Sequence, residues 1–294
     1  MMIRYIKRSE LDIEKYDLCI ENSKNSRIYA FSWYLDIVAD NWDVLILNDY
    51  EAVMPLPWRS KYFIKFIYPP CWTQQLGVFS DKEIDKELVD VFIKSIPKRF
   101  KKITLNLNSE NNILKEKVII KTNYILPLNK PYGELFKNYK SVRRRYKTRF
   151  NKEDLDLFKV ATSQEIIKLF VLQKKSSVDL KKSDYDRLEQ LISYLTSINS
   201  VDIIIVKNKG GVLLGGAFFI KDSKRITYLF SSVSPEGRDK KVMTYIIDSV
   251  IKEYADSNFI LDFEGSMIPG IAFFFKSFGS QEEMYFNFQK RLIF

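Results

Sequence analysis

Residues 201–219 read VDIIIVKNKGGVLLGGAFF, and residues 42–58 read WDVLILNDYEAVMPLPW. Each is an apolar, β-branched run, a polar turn and a second apolar run, which is the pattern of a β-hairpin. Each leads to a third apolar stretch, KYFIKFIYPP (61–70) and KRITYLFSSVSP (224–235). The parallel continues into two amphipathic segments, SDKEIDKELVDVFIKSIPKRF (80–100) and SPEGRDKKVMTYIIDSVIKEY (234–254). The helical stripe expected to be buried is Leu88, Val91, Phe92, Ser95 and Ile96 in the first. In the second it is Met243, Ile246, Ile247, Val250, Ile251 and Tyr254. Both segments lead into a strand, ITLNLN (103–108) and FILDFE (259–264).

Working outward, helical pieces precede each meander, at 9–21 and 32–39 and again at 163–198. A late strand follows each, in KVIIKTNYILPL (117–128) and EMYFNFQKRLIF (283–294). Two weakly similar copies of one mixed α/β unit, offset by roughly 155 residues, account for this order better than one large domain. LNKPYGE (128–134) breaks the pattern, so domains of 1–130 and 131–294 are expected.

The composition narrows the chemistry. Apolar residues at 46% with 29% charged describe a globular chain of 294 residues, long enough for two cores. No apolar run at the start suits a signal peptide, and charges interrupt every later one before about eighteen residues. Two cysteines, Cys19 and Cys71, are too few for a disulfide framework, so a cytoplasmic protein is expected. Histidine is absent, which excludes Ser-His and Cys-His nucleophiles and the commonest zinc sites. The net charge of +10 is local. KNYKSVRRRYKTRFNK (137–152) holds eight Lys or Arg and no acid, which marks one basic patch rather than a basic surface.

Three segments together resemble a known group: SVRRRYKTRF (141–150), YLFSSVSPEGRDKKVMTYIIDSVI (228–251) and FILDFEGSMIPGIAFFFKSFGS (259–280). The order of elements in each half resembles the GNAT acyltransferase fold. The tandem arrangement resembles the Fem family of peptidoglycan aminoacyl transferases and related acyltransferase-like proteins of bacterial cell-envelope clusters. The first half resembles the family in element order only, and the helical arm of some members has no counterpart here. The resemblance implies an α/β (α+β) fold of two GNAT-like domains, each a mixed, mainly antiparallel sheet flanked by helices. It implies transfer of an acyl or aminoacyl group to an amine, from acyl-coenzyme A or aminoacyl-tRNA, with no metal or tightly bound cofactor. The donor is expected in the second domain and the acceptor, an envelope precursor, between the domains.

Candidate residues follow, each with a plainer alternative. In GNAT enzymes the turn before the long helix cradles a pyrophosphate with backbone N–H groups at a helix N-terminus. VSPEGRDKKVM keeps Arg238 in the arginine position, with Ser232, Lys240 and Lys241 around it. The two positions that are small in that pattern are Lys241 and Met243, and a Cβ there would hold the backbone off a phosphate. The alternative has Asp239 capping the helix and the cations solvated.

The basic helix expected over 134–150 carries a stripe of Phe136, Tyr139, Val142, Tyr146 and Phe150. Arg143, Arg144, Arg145, Lys147 and Arg149 crowd its other faces. It is either a docked helix with a solvated face or a surface for phosphates: a tRNA backbone, a lipid-linked pyrophosphate or an anionic membrane.

On 259–278, Asp262 and Glu264 share one side of the strand, and Ile271, Phe274, Phe275 and Phe278 one face of a short helix. Lys276 lies off that face. The resemblance assigns Lys276 a place beside the transfer channel, where a lysine stabilises an oxyanion or holds a phosphate. Glu264 is the candidate proton acceptor. In YPPCWTQQLGVF (68–79), Trp72, Gln74 and Gln75 form either core packing or an acceptor-binding wall. Two other functions remain open: a non-catalytic binder of an anionic precursor, suggested by the missing glycines, and a general RNA-binding protein.

Overall fold

The computed structural model describes residues 2–113, 118–150, 155–173, 180–265 and 267–291, without the side chains of 147–150. Lys147, Arg149 and Phe150, expected on the basic helix, therefore lie outside the described side chains. The chain divides into two units, Met1–Thr122 with Glu283–Phe294, and Asn123–Glu282. This partition differs from a division at residue 130: residues 123–130 count with the second unit and the last twelve with the first.

The first unit builds its sheet from β1 (Ile3–Lys7), β2 (Asn41–Leu47), β3 (Ala52–Lys61), β4 (Ile64–Ile67), β5 (Phe100–Leu107) and β12 (Gln281–Arg291), in that order. All neighbours are antiparallel except β4 and β5. Its helices are α1 (Ile13–Asn22), α2 (Ser32–Val38) and α3 (Lys86–Lys94). Asp12 and Asp85 cap α1 and α3 by accepting from the N–H of Lys15 and Leu88, which fixes where these helices start. The core packs Leu45, Met54 and Leu56 of the meander against Val89, Phe92 and Ile93 of α3. The buried stripe of α3 is Val89, Phe92, Ile93 and Ile96. It is one residue later than the sequence suggests at its start, and Val91 is exposed.

The second unit has the strand order β6 (Val118–Pro127, from Asn123 onward), β11 (Ile260–Asp262), β10 (Arg225–Val233), β9 (Leu213–Lys221), β8 (Val201–Asn208) and β7 (Leu155–Val160). Again one pair, β10 with β11, is parallel and the rest are antiparallel. The hairpins expected at 42–58 and 201–219 thus occupy matching places, as do the parallel pairs. The late strands are exchanged. β6 follows the first meander but pairs with β11, and β12 follows the second but pairs with β5.

Among the described residues the helices of the second unit are α4 (Tyr132–Lys137), α5 (Ser141–Phe150), α6 (Gln164–Gln173), α7 (Lys182–Ser197), α8 (Pro235–Asp239), α9 (Val242–Tyr254) and α10 (Pro269–Lys276). The expected stripe of α9 is buried at Ile246, Ile247, Val250 and Ile251, against Ile204, Ala217, Phe219 and Leu261. Two expected helices are broken. The basic helix is α4 and α5, because the Lys140 N–H leaves the helical ladder to donate to the Ser277 carbonyl at 2.9 Å. Residues 234–254 split at Lys241, whose φ is +60°. Asp239 ends α8 rather than capping it; Ser234 caps it by accepting from the Gly237 N–H at 3.0 Å.

β10 and β11 pair only over Arg225–Thr227 and Ile260–Asp262, and then diverge. Phe275 of α10 fills the notch, stacked on Phe263 at 5.0 Å and edge-on to Tyr228 at 6.0 Å. Ile271 stays exposed, although the sequence places it on the same face as Phe275.

α8 lies so close to β9 that a Cβ on Gly237 would stand 2.1 Å from the Leu214 carbonyl oxygen. Gly237→Ala is therefore expected to cost about 2 kcal/mol or more in unfolding free energy, read as a lowered denaturant midpoint with unchanged slope. Gly133→Ala in α4 meets nothing within 4 Å and is expected to be neutral or stabilising by up to about 1 kcal/mol.

Candidate active site

The left-handed turn at Lys241 sets the site. Its φ is the value a glycine adopts freely and a lysine adopts at a cost of about 1–2 kcal/mol. The backbone path is that of a glycine turn, carried by a residue with a side chain. Lys241 gives α9 no side-chain cap, and the Thr244 N–H turns back to its carbonyl at 2.9 Å.

Beside this turn is a cavity of about 560 Å³. Its walls are Val142, Arg143 and Tyr146 of α5, Arg238 of α8, Val242 to Thr244 at the start of α9, and Ile271, Phe273 and Phe274 of α10, with Lys241 at the turn. The lining is apolar apart from Arg143, Arg238, Lys241 and two hydroxyls, and contains no carboxylate among the described residues. None of the three cations forms an ion pair among the described residues.

Arg143 is the unusual one, because only 8% of it is exposed. Its Nε donates to the Ser277 hydroxyl at 2.6 Å and one terminal nitrogen to the Thr244 hydroxyl at 3.0 Å. Its guanidinium carbon lies 4.4 Å from the centre of the Phe274 ring. Burial pushes its pKa down from the ordinary arginine value. A buried cation is normally paired, because removing a charge from water costs several kcal/mol. Hydroxyls orient this guanidinium but supply no opposite charge. The arrangement suits an anionic group, phosphate or carboxylate, attached to an apolar moiety.

Of the residues expected from the sequence, Arg143, Arg238 and Lys241 are brought together here. Lys240 is turned to Glu236 at 3.2 Å. Ser232 is buried in β10 opposite Gly216 and does not line the cavity. Arg144 is exposed and donates to the Lys137 carbonyl at 2.8 Å, closing the end of α4.

Lys276 and Glu264 do not line the cavity either. Lys276 is exposed and bound to Glu282 at 2.5 Å, with its amine 5.6 Å from the centre of the Tyr124 ring. The Glu282 carboxylate, followed by Tyr124, raises its pKa. Glu264 sits beyond β11 at φ +59°, its N–H donating to Asp262 at 2.9 Å, so it does not continue the strand face.

In the first unit, the Trp72 carbonyl accepts from the Tyr34 hydroxyl, and the Gln74 amide oxygen accepts from Gln75 at 2.6 Å. Gln75 is buried, and its Oε1 has no hydrogen-bond partner among the described residues. The sequence reading missed Thr244 and Ser277. Their one signal is that each is a small hydroxyl residue among large side chains, Thr244 within α9 and Ser277 just past the end of α10.

No family model matches the sequence, and no curated protein matches it. Solved structures do. FemX aligns over 97% of both chains with a TM-score of 0.69 at 13% identity. The fold is Fem-like and tandem GNAT-like. L-PGS from Bacillus licheniformis aligns over 95% of this chain and 92% of its own with a TM-score of 0.56 at 11% identity. A tandem GNAT protein from the clavulanic acid biosynthesis pathway aligns over 98% of both chains with a TM-score of 0.52 at 10% identity. At such identities the likeness concerns the fold alone.

Replacing Arg143 by Met removes the uncompensated charge and keeps most of the stem. Free protein stability is expected to change by no more than about 1 kcal/mol, in either direction, in chemical denaturation. A loss of about 3 kcal/mol or more would make the guanidinium a structural tie.

Proposed function

We propose that the protein transfers an acyl or aminoacyl group to an amine, with the donor's phosphate-bearing part held in the cavity of the second unit. The observation that carries this is Arg143, a buried cation with no counter-charge among the described residues, beside Arg238 and Lys241 at the start of α9. The similar folds include FemX and a tandem GNAT protein, and the sequence motifs around 228–280 resemble the same families. The donor would be acyl-coenzyme A or aminoacyl-tRNA, and the acceptor a cell-envelope precursor.

The chemistry at the cavity would be binding and charge stabilisation. The guanidinium and Lys241 would hold the donor, and the apolar walls exclude water around it. Glu264 and Lys276 are the candidate proton acceptor and oxyanion partner. For Lys276 to act, its amine would have to leave Glu282.

A thermal-shift panel of acyl-coenzyme A, aminoacyl-tRNA and nucleotide-linked precursors tests the reading. One class is expected to raise the melting temperature, and Arg143→Met to weaken its binding about ten- to a hundredfold, since a hydrogen bond to a charged group contributes about 1.5–3 kcal/mol. Absence of binding by every anion in the panel would remove the basis for the proposal.

The alternative, a non-catalytic binder of an anionic precursor, is favoured by one observation: Lys276 is engaged by Glu282. Lys276→Met separates the two. The exposed pair contributes little to folding, so melting should be unchanged. A transferase would lose turnover about a hundredfold, whereas a binder would have no turnover to lose. Among the described residues no helix is long and apolar enough to cross a membrane.

A further inference from the structure

The hairpin of β3 and β4 turns on two residues. Lys61 pairs with Ile64, leaving Tyr62 and Phe63 as the loop. Both have positive φ, 50° and 62°, as the tight two-residue turn of a twisted hairpin requires. Asn-Gly adopts this geometry readily, whereas bulky side chains are strained in it. Little packing offsets the strain. Tyr62 is 83% exposed and Phe63 fully so, and Ile64 beside them is 41% exposed.

The charges on the hairpin itself have one sign. Arg59, Lys61 and Lys65 flank it, and no acidic residue occurs between Glu51 and Asp81. The Lys61 amine stands 5.4 Å from the centre of the Tyr62 ring.

We propose that this hairpin tip docks the protein on an anionic lipid bilayer, with Tyr62 and Phe63 in the headgroup layer and Lys61, Lys65 and Arg59 against lipid phosphates. Aromatic side chains prefer the boundary between headgroups and hydrocarbon, and each cation near an anionic surface adds attraction. A bilayer accepts a projecting knuckle without needing a complementary groove. A single-stranded nucleic acid would instead need a basic channel with successive stacking rings, and one turn does not supply that. The tip is remote in sequence from every residue of the cavity, and the inference does not rest on the transfer reading.

Co-sedimentation with phosphatidylcholine vesicles, with and without phosphatidylglycerol, tests it. The parent protein is expected to bind the anionic vesicles about tenfold or more tightly than the neutral ones, and less so as salt rises. Lys61→Gln should weaken binding about fivefold. The paired change Tyr62→Asn and Phe63→Gly relaxes the turn. It should raise the melting temperature while reducing vesicle association about tenfold or more.

A stabilised variant that still binds as the parent does would overturn the proposal. So would equal binding to both vesicle types, or none to either. Retention by a structured RNA that needs both rings, with no vesicle association, would assign the tip to nucleic acid and overturn it as well.

Discussion

The second unit depends on one buried carboxylate. Asp262, 2% exposed at the end of β11, accepts from Arg225 of β10 at 2.7 Å and from Asn123 of β6 at 2.9 Å. It also accepts from the N–H of Glu264. Three strands from distant parts of the chain and the turn that leaves the sheet are thus tied at one point. Removing either charge would leave the other buried and uncompensated, which is far costlier than losing an exposed pair. The tie sits where the parallel pair ends. It therefore fixes the notch that Phe275 fills, and through α10 it fixes one wall of the cavity.

Two arginines in this unit are nearly equally buried, and they differ in what faces them. Arg225 has a carboxylate at bonding distance. Arg143 has two hydroxyls and aromatic rings. The same desolvation cost applies to both, but among the described residues only the first is met by an opposite charge. Burial alone therefore does not separate the two; what faces each guanidinium does. Lys276 shows the converse. It is a lysine among phenylalanines in sequence, yet it is exposed and held by Glu282.

Much of the fold was legible in the pattern. Alternation and turns at 42–58 and 201–219 gave the hairpins, and the stripe from Ile246 to Ile251 gave the long helix, because burial of one face imposes its own period. The helix breaks at 138–140 and at Lys241 were not legible. Neither has a proline or a glycine at the break; each is imposed by bonds to a distant segment or by a left-handed lysine. The basic patch was visible, but nothing in RRR (143–145) told which arginine turns inward.

The sequence by itself determined the repeated unit, the element order and the concentration of cations, because those follow from local periodicity and composition. The tertiary structure decided which late strand completes which sheet. It also decided that Arg143, Arg238 and Lys241 share a cavity while Lys276 does not line it. An edge strand pairs through backbone groups that every residue carries, so β6 and β12 are interchangeable to a reader of sequence. A side chain's partners depend on the packing angle of whole helices, and that angle is set by the summed contacts of residues far apart in the chain.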